Sequence, residues 1–130
     1  MTDYDEAAGN ATPDEWPLLH ARVYGLAEYY QIPALKSLAA ENFRYSRSKL
    51  VESNYLDVVK EVYSSTPTQD RGLRNMLIEH ASRHAANLLN WDIAGALLAV
   101  DEFGVDFAKA SLREKETQLA RAWREAYDEV

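Results

Sequence analysis

The tract VYGLAEYYQIPALKSLAAENF, residues 23–43, decides the fold, because apolar side chains recur in it at helical spacing on both sides of one proline. Steps of three and four residues place a first set on one helix face, namely Leu19, Val23, Leu26, Ala27 and Tyr30. A second stripe of the same kind follows the proline and consists of Leu35, Leu38, Ala39 and Phe43. Pro33 disfavours helical geometry at Ile32 and fixes its own φ, so it can begin the second helix. The tract therefore predicts a helical hairpin about Pro33, with Ala27, Leu35 and Leu38 in the core.

The segment after this hairpin predicts a third helix and the start of a fourth. The third helix has Ser53 or Asn54 as its N-cap, and its apolar stripe is Tyr55, Val58, Val59 and Val62. Because valine is β-branched, a strand over residues 58–62 would show a similar pattern. Thr66 and Gln69 then have the spacing of a capping box, and Pro67 fits the first helical position. This pattern predicts one helix of roughly 20 residues, whose apolar face is Leu73, Leu77, Ala81, Ala85 and Leu88.

The remainder of the chain predicts a short helix and a long solvated one. A break at residues 90–92 leaves Asp92 as the N-cap of the short helix, which Gly104 ends. Residues 105–127 again show helical spacing, in Val105, Ala108, Leu112, Leu119, Trp123 and Ala126. Residues 113–118 contain no apolar side chain, so we expect a solvated helix with apolar ends.

The fold class that these patterns predict is all-α, with about six helices packed as hairpins in a bundle and a long C-terminal helix. No alternating run of strand length interrupts them. A chain of 130 residues is sufficient for one domain. We expect a flexible acidic lead-in over residues 1–15 and a single helical domain over residues 16–130.

Composition excludes several classes of function. With 47% hydrophobic residues the chain can bury a core, and its net charge of −7 disfavours contact with nucleic-acid backbones or anionic membranes. The longest apolar run, residues 93–100, is far below the ~20 residues that cross a bilayer. The absence of cysteine excludes disulfides and thiol chemistry. We expect an intracellular protein, cytoplasmic or nuclear, without a secretory signal.

Candidate catalytic and metal-binding residues are few. His80 and His84 are four residues apart and share a helix face, as two zinc ligands would, but the string IEHASRH lacks the HExxH order and a third ligand. The five glycines are scattered singly, so no phosphate-binding loop exists, and no G-x-S-x-G turn presents a serine. We therefore predict no catalytic residue, cofactor or metal. Asp70, Arg71 and Arg74 are expected to pair and cap locally.

Tyrosine is unusually frequent in the first half of the chain, where six of the eight tyrosines lie between residues 24 and 63. Packing at the edge of the core and a protein interface both explain this enrichment, and both interpretations stay open. On the interface interpretation, the partner-binding residues are the exposed parts of Tyr24, Tyr29 and Tyr45, together with Leu119, Trp123 and Tyr127 at the end of the last helix.

Two motifs resemble those of one protein family. The first, LLHARVYGLAEYYQIPALKSLAAENF, resembles the C-terminal helical hairpin of BTB (POZ) domains, through Ala27, Tyr30, Ile32, Pro33, Leu35, Leu38 and Ala39. The second, EVYSSTPTQDRGLRNML, is similar to the segment that follows this hairpin in many fungal BTB proteins, through Val62, Tyr63, Ser65, Thr66, Pro67, Asp70, Arg71, Leu73 and Arg74. The acidic stretch at residues 2–5 also resembles the sequence before that hairpin. The resemblance ends near residue 90, so residues 91–130 are read as additional helices.

The resemblance implies a function in protein–protein contact. BTB proteins act as self-associating modules and adaptors, including adaptors of cullin-type ubiquitin ligases, so this link is implied by the resemblance alone. The strand-helix-strand half that opens a complete BTB domain is absent, so we expect an apolar face that a second copy or a protein partner covers. The alternative hypothesis is a helix-turn-helix nucleic-acid binder, whose second helix would carry Lys36, Arg44, Arg47 and Lys49.

Overall fold

The computed structural model describes residues 2–128, and this part of the chain is helical with short connections. Its α-helices are α1 Thr2–Asn10, α2 Trp16–Tyr29, α3 Pro33–Ser46, α4 Glu52–Ser65, α5 Gly72–Arg83, α6 Ala85–Asn90, α7 Ala94–Leu98 and α8 Phe103–Asp128. Short 3₁₀ turns at Pro13–Glu15 and Arg47–Lys49 complete it. The predicted all-α class is confirmed. The described residues form eight α-helices instead of about six, because the first segment is helical and the expected fourth helix is divided.

The core lies where α4 contacts both α2 and α5. Its largest fully buried side chains are Phe43, Tyr55, Val58, Val59, Val62, Leu73, Leu77, Leu88, Leu97 and Phe103. The third predicted stripe is therefore confirmed in full. The N-cap of α4 is Val51, whose N–H donates to Asn54 Oδ1 at 2.9 Å. Asn54 thus stabilises the start of α4 from its third position, and the prediction of Ser53 or Asn54 as N-cap is wrong.

The hairpin about Pro33 is confirmed, since α2 ends at Tyr29 and α3 begins at Pro33. Gln31 makes the turn in the left-handed region with φ 54°. The N–H of Ile32 then donates to the carbonyl oxygen of Ala27 at 2.9 Å, which closes the end of α2. The proline fits because its missing N–H falls at a position where no helical bond is needed.

The buried face of α2 differs from the predicted one. Its buried residues are Pro17, His20, Ala21, Tyr24 and Ala27. Ala27 belongs to the predicted stripe, but Leu26 and Tyr30 are exposed. Tyr24 takes the inner face because its hydroxyl reaches a carboxylate on the α4–α5 link, so the ring can be buried with its polar end satisfied. The spacing of apolar residues does not reveal this hydrogen bond, so it does not predict that Tyr24 is buried.

The buried face of α3 is narrower than predicted. Ala39 and Phe43 are fully buried, as expected. Leu38 is exposed and Leu35 is only half-buried, so placing them in the core is wrong for Leu38 and right in part for Leu35. Ile32 is exposed as well. The reason is that α3 packs on α2 and α5 along one side only, which leaves its other flank to solvent.

The first segment is a helix, which corrects the expectation of a flexible lead-in. Tyr4 is buried, bonds through its hydroxyl to His20 Nδ1, and accepts a hydrogen bond from Asn42 Nδ2 at 3.2 Å. The Trp16 indole N–H donates to the carbonyl oxygen of Ala8 at 3.0 Å. These contacts tie α1 to α2 and α3, and a tyrosine and a tryptophan with satisfied polar ends explain why an acidic segment stays packed.

The predicted start of the fourth helix is wrong. Thr66 follows the end of α4 and donates its hydroxyl hydrogen back to the carbonyl oxygen of Val62 at 2.6 Å. Pro67 lies in the link between the helices, and α5 begins only at Gly72. Thr66 therefore acts at the end of one helix instead of capping the next, because its hydroxyl is already committed to α4.

The same predicted helix is also interrupted at His84. Its φ of −112° and ψ of 26° are not helical, so α5 ends at Arg83 and α6 begins at Ala85. The predicted core residues Leu73, Leu77, Ala81 and Leu88 are nevertheless buried. Because the apolar stripe continues across the break, periodicity gives no sign of it.

Gly104 lies inside α8 and does not end the preceding helix, which corrects its predicted role. The turn before α8 is made by Asp101, whose φ is 34°, and α7 is capped by Ile93 instead of Asp92. A Cβ on Gly104 would collide with the backbone carbonyl oxygen of Leu98. The glycine is thus needed for the close approach of α7 and α8.

Opposite effects on stability are expected from two glycine-to-alanine substitutions. Gly104→Ala should lower the free energy of unfolding by about 1 kcal/mol, because the clash outweighs the gain in helix propensity. Gly95→Ala, in α7 with no atom within 4 Å of its added Cβ, should raise it by about 0.5–1 kcal/mol. Urea unfolding of both variants checks this pair. A Gly104→Ala variant as stable as Gly95→Ala would show that the two helices are not closely packed there.

Candidate functional site

The C-terminal helix α8 is the most unusual surface of the described chain. Its first turns are anchored by Phe103 and Phe107, which are buried against the core and stack at 6.0 Å. From Leu112 to Asp128 every residue of the helix is exposed. At about 1.5 Å per residue this segment extends for about 25 Å beyond the core.

The exposed part of α8 is amphipathic. Its large apolar side chains, each more than 60% exposed, are Leu112, Leu119, Trp123 and Tyr127. Their spacing of seven, four and four residues places them on one face. The rings of Trp123 and Tyr127 lie 6.5 Å apart along it. Val105 extends the same row toward the core and is also exposed. We call Val105, Leu112, Leu119, Trp123 and Tyr127 the apolar stripe of α8.

The charges around the stripe are balanced. Residues 112–128 contain four basic residues, Arg113, Lys115, Arg121 and Arg124, and four acidic ones, Glu114, Glu116, Glu125 and Asp128. Four minus four leaves this segment neutral, so the chain's net charge of −7 is carried entirely by the remaining residues. The stripe is therefore not enclosed by charge of one sign.

Five of the six predicted partner-binding residues are exposed. Leu119, Trp123 and Tyr127 are exposed together on the stripe. Tyr29 and Tyr45 are also exposed, but they lie at the C-terminal ends of α2 and α3. For Leu112 and Val105 the sequence predicts only a place in the helical repeat of α8. The run of six residues without an apolar side chain after Leu112 is the signal that this end of the helix leaves the core.

Tyr24 is not a surface residue, which corrects its predicted role. It is only 3% exposed, and its hydroxyl donates to Asp70 Oδ1 at 2.7 Å. The N–H of Gly72 donates to the same oxygen at 3.1 Å, while Lys36 Nζ lies 3.0 Å from Asp70 Oδ2 and 2.6 Å from Glu28. Tyr24 thus fastens α2 to the α4–α5 link.

The ionisation of this network suits a structural role. Burial, and then the bond to Asp70, raises the pKa of Tyr24 to about 12. Burial alone would raise the pKa of Asp70, but the bonds from Tyr24 and Gly72 and the Lys36 ammonium together lower it. The bond to Glu28 raises the pKa of Lys36. None of these three groups changes its charge near pH 7.

Asp70, Arg71 and Arg74 are expected to pair locally, but their ion pairs reach other elements: Asp70 pairs with Lys36 on α3, and the two arginines pair with residues at the start of α8. Arg71 Nη2 lies 3.2 Å from Asp106, and Arg74 Nη1 lies 3.3 Å from Glu102. Asp106 also accepts the hydroxyl hydrogen of Tyr63 at 2.8 Å. These contacts fix the base of α8 against α4 and α5, and so set the direction in which its exposed part projects.

His80 and His84 stack with their ring centroids 4.3 Å apart. Among residues 2–128 no group of three histidine, cysteine or acidic side chains is placed to hold a metal ion.

Two of the basic residues of the helix-turn-helix alternative are ion-paired: Lys36 as described above, and Arg47 with Glu79 at 3.7 Å.

Comparison with protein-family models, with curated proteins and with solved structures finds no match. Over residues 2–128, α8 included, no helix is both long and apolar enough to cross a membrane.

Proposed function

We propose that this chain is a non-catalytic protein–protein interaction module that self-associates through the apolar stripe of α8. The observation that carries the proposal is the exposure of Leu112, Leu119, Trp123 and Tyr127 on one face of a helix that has left the core. Most of the stability of a helix in a protein comes from packing of its apolar face. The stripe accordingly favours a partner.

The size of the side chains supports the same proposal. An aromatic side chain buries about 150–250 Å² when it is covered, at about 25 cal/mol per Å² of apolar area. Trp123 and Tyr127 are mostly uncovered in the single chain. Tryptophan and tyrosine are also the residues in which binding energy concentrates at protein interfaces. Covering this end of α8 would therefore stabilise a complex substantially.

A second copy of the chain is the occupant that the charges favour. A partner of strong charge would meet no complementary field, because residues 112–128 are neutral and mix both signs. A second copy brings an equally neutral helix, and the net charge of −7 that each chain carries stays outside the contact. Leu112 and Leu119 are seven residues apart, the spacing that paired helices share.

The BTB-type resemblance enters this proposal as a prediction. The first of the two BTB-like motifs coincides with the hairpin about Pro33. An adaptor or scaffold role, with its link to cullin-type ubiquitin ligases, follows from the resemblance only. Self-association is the part of the proposal for which the surface of α8 supplies support.

Two matched substitutions test the interface. Leu119→Glu places a charge in the middle of the stripe and should raise the dissociation constant of the dimer at least ~30-fold, equivalent to ~2 kcal/mol of lost apolar burial. Gln118→Glu adds the same charge one residue away, off the stripe, and should change it less than ~3-fold. Sedimentation velocity measures both, and far-UV circular dichroism verifies the fold. Equal association of the two variants would contradict an interface on the stripe.

A further inference from the structure

A cleft of about 760 Å³ lies between the C-terminal end of α3 and the junction of α5 and α6. Its volume falls within the range of about 300–1,000 Å³ that is usual for small-molecule sites. The side chains of its wall that carry charge, imidazole or an aromatic ring include Arg44, Tyr45, Arg47, His80, Arg83 and His84. It is separate from the apolar stripe of α8.

The cleft is basic in an acidic chain. Three of the chain's 14 lysine and arginine residues line it, Arg44, Arg47 and Arg83, against one acidic lining residue, Glu52. Glu79, outside the lining, is shared by Arg47 at 3.7 Å and Arg83 at 3.1 Å. One carboxylate thus serves two guanidinium groups. Among residues 2–128, Arg44 forms no ion pair.

One of these guanidinium groups is held in place before any ligand arrives. Arg47 Nη1 donates to the carbonyl oxygen of Met76 at 3.2 Å, and its Nε donates to that of Arg44 at 3.3 Å. Guanidinium groups present several N–H donors in a planar fork, which matches the oxygens of a phosphate or carboxylate. A fixed fork loses less entropy when it binds an anion.

The two histidines add ring nitrogens to the wall of the cleft. His84 Nδ1 donates to the carbonyl oxygen of His80 at 2.9 Å, and within residues 2–128 its Nε2 has no hydrogen bond. The Tyr55 hydroxyl lies 3.1 Å from His80 Nδ1, and burial raises the pKa of Tyr55, which keeps its proton. Tyr55 therefore stays a neutral hydrogen-bond partner of the His80 ring.

The remaining wall is suited to a planar, apolar body. Trp91 also lines the cleft and is fixed edge-on against Tyr55, with ring centroids 5.3 Å apart. Tyr45 stands exposed in the same lining, and Leu50 and Val51 contribute aliphatic surface. Aromatic walls with a few convergent polar groups are typical of sites for small organic ligands.

We propose that this cleft binds a small organic phosphate, in which a phosphate monoester meets Arg44, Arg47 and Arg83 and a planar ring lies against Trp91 and Tyr45. A dianionic phosphate is the anion that three guanidinium groups match best. The ring is attached either directly to the phosphate or through a sugar, and the two forms are separate arms of the test.

Binding of three probes to the full chain at about 150 mM salt tests the proposal. The probes are phenyl phosphate, adenosine 5′-monophosphate and inorganic phosphate, titrated by calorimetry and followed by NMR at the indole N–H of Trp91. One of the two organic phosphates should bind at least ~10-fold more tightly than inorganic phosphate. The double variant Arg44→Gln/Arg83→Gln, which leaves Arg47 in place, should weaken that binding at least ~10-fold.

The matched control is Arg22→Gln/Lys60→Gln, which removes the same charge from exposed positions outside the cleft and should leave binding unchanged. Three results would overturn the proposal. They are no binding of either organic phosphate, equal binding of inorganic phosphate, and equal weakening by the two double variants. A duplex oligonucleotide that binds more tightly than either organic phosphate would favour the nucleic-acid alternative and overturn it too.

Discussion

Replacing Arg74 with alanine is expected to lower the free energy of unfolding by about 3 kcal/mol, because three buried acceptors would lose their donor. Arg74 is only 3% exposed. Its guanidinium donates to Thr66 Oγ1 at 3.0 Å, to the Thr66 carbonyl oxygen at 2.6 Å and to the Tyr63 carbonyl oxygen at 3.3 Å. It also lies 4.4 Å from the centroid of the Tyr63 ring. One side chain thus holds the end of α4, the link and α5 together.

The neighbouring Arg71 provides the control. Arg71 lies three residues before Arg74, is more exposed, and pairs with one carboxylate, that of Asp106 on α8. Arg71→Ala should therefore cost less than about 1 kcal/mol. Arg74→Lys should still be destabilised, because an ammonium group cannot reach the same set of acceptors with a planar fork. Urea unfolding of the three variants decides the matter. Equal losses for Arg71→Ala and Arg74→Ala would show that Arg74 does not connect these elements.

Lowering the pH from 7 to 4 is expected to remove about 2 kcal/mol of stability through His80 alone, after allowance for partial exposure. Burial, and then the charges of His84, Arg47 and Arg83, lowers the pKa of His80 from 6.5 to about 4. Between these values the unfolded chain takes up a proton that the folded chain does not. The contribution is thus fully present above pH 6.5 and declines as the pH falls through this window.

Two other groups with lowered pKa values, His20 and Asp70, also contribute to the pH dependence of stability. Burial also lowers the pKa of His20, so His20 acts in the same direction. Asp70 acts at lower pH, because its pKa is lowered from 3.8. NMR titration of the His80 ring identifies its contribution, and His80→Gln should flatten the pH dependence of the urea midpoint between pH 6.5 and 4. A His80 ring that titrates near 6.5, or an unchanged pH dependence in the variant, would contradict the expectation.

Those features of the fold that depend on local chemistry could be predicted from local patterns in the sequence. The all-α class, the hairpin about Pro33 and the buried face of α4 follow from spacing and from the backbone preferences of proline. The face of α2 could not be predicted in this way. It is rotated because Tyr24 meets Asp70, a residue 46 positions away, and such tertiary contacts are invisible to a helical repeat.

The two candidate surfaces also differ in whether the local sequence predicts them. Leu119, Trp123 and Tyr127 are exposed at the end of a solvated helix, and the polar run before them is a local signal of that exposure. The basic cleft was not predicted, since Arg44 and Arg47 belong to the end of α3 and Arg83 to the end of α5. Only packing brings these ends together. The separation of α5 from α6 at His84 was likewise missed, because the buried stripe continues across it.

The central claim, self-association through α8, is tested most directly by the mass of the intact chain in solution. The chain has a mass of 14.8 kDa, and sedimentation equilibrium over a series of concentrations should approach twice this value as the concentration rises. Leu119→Glu should remain at the single-chain mass under the same conditions. A mass of 14.8 kDa for the unaltered chain at every attainable concentration would contradict the claim.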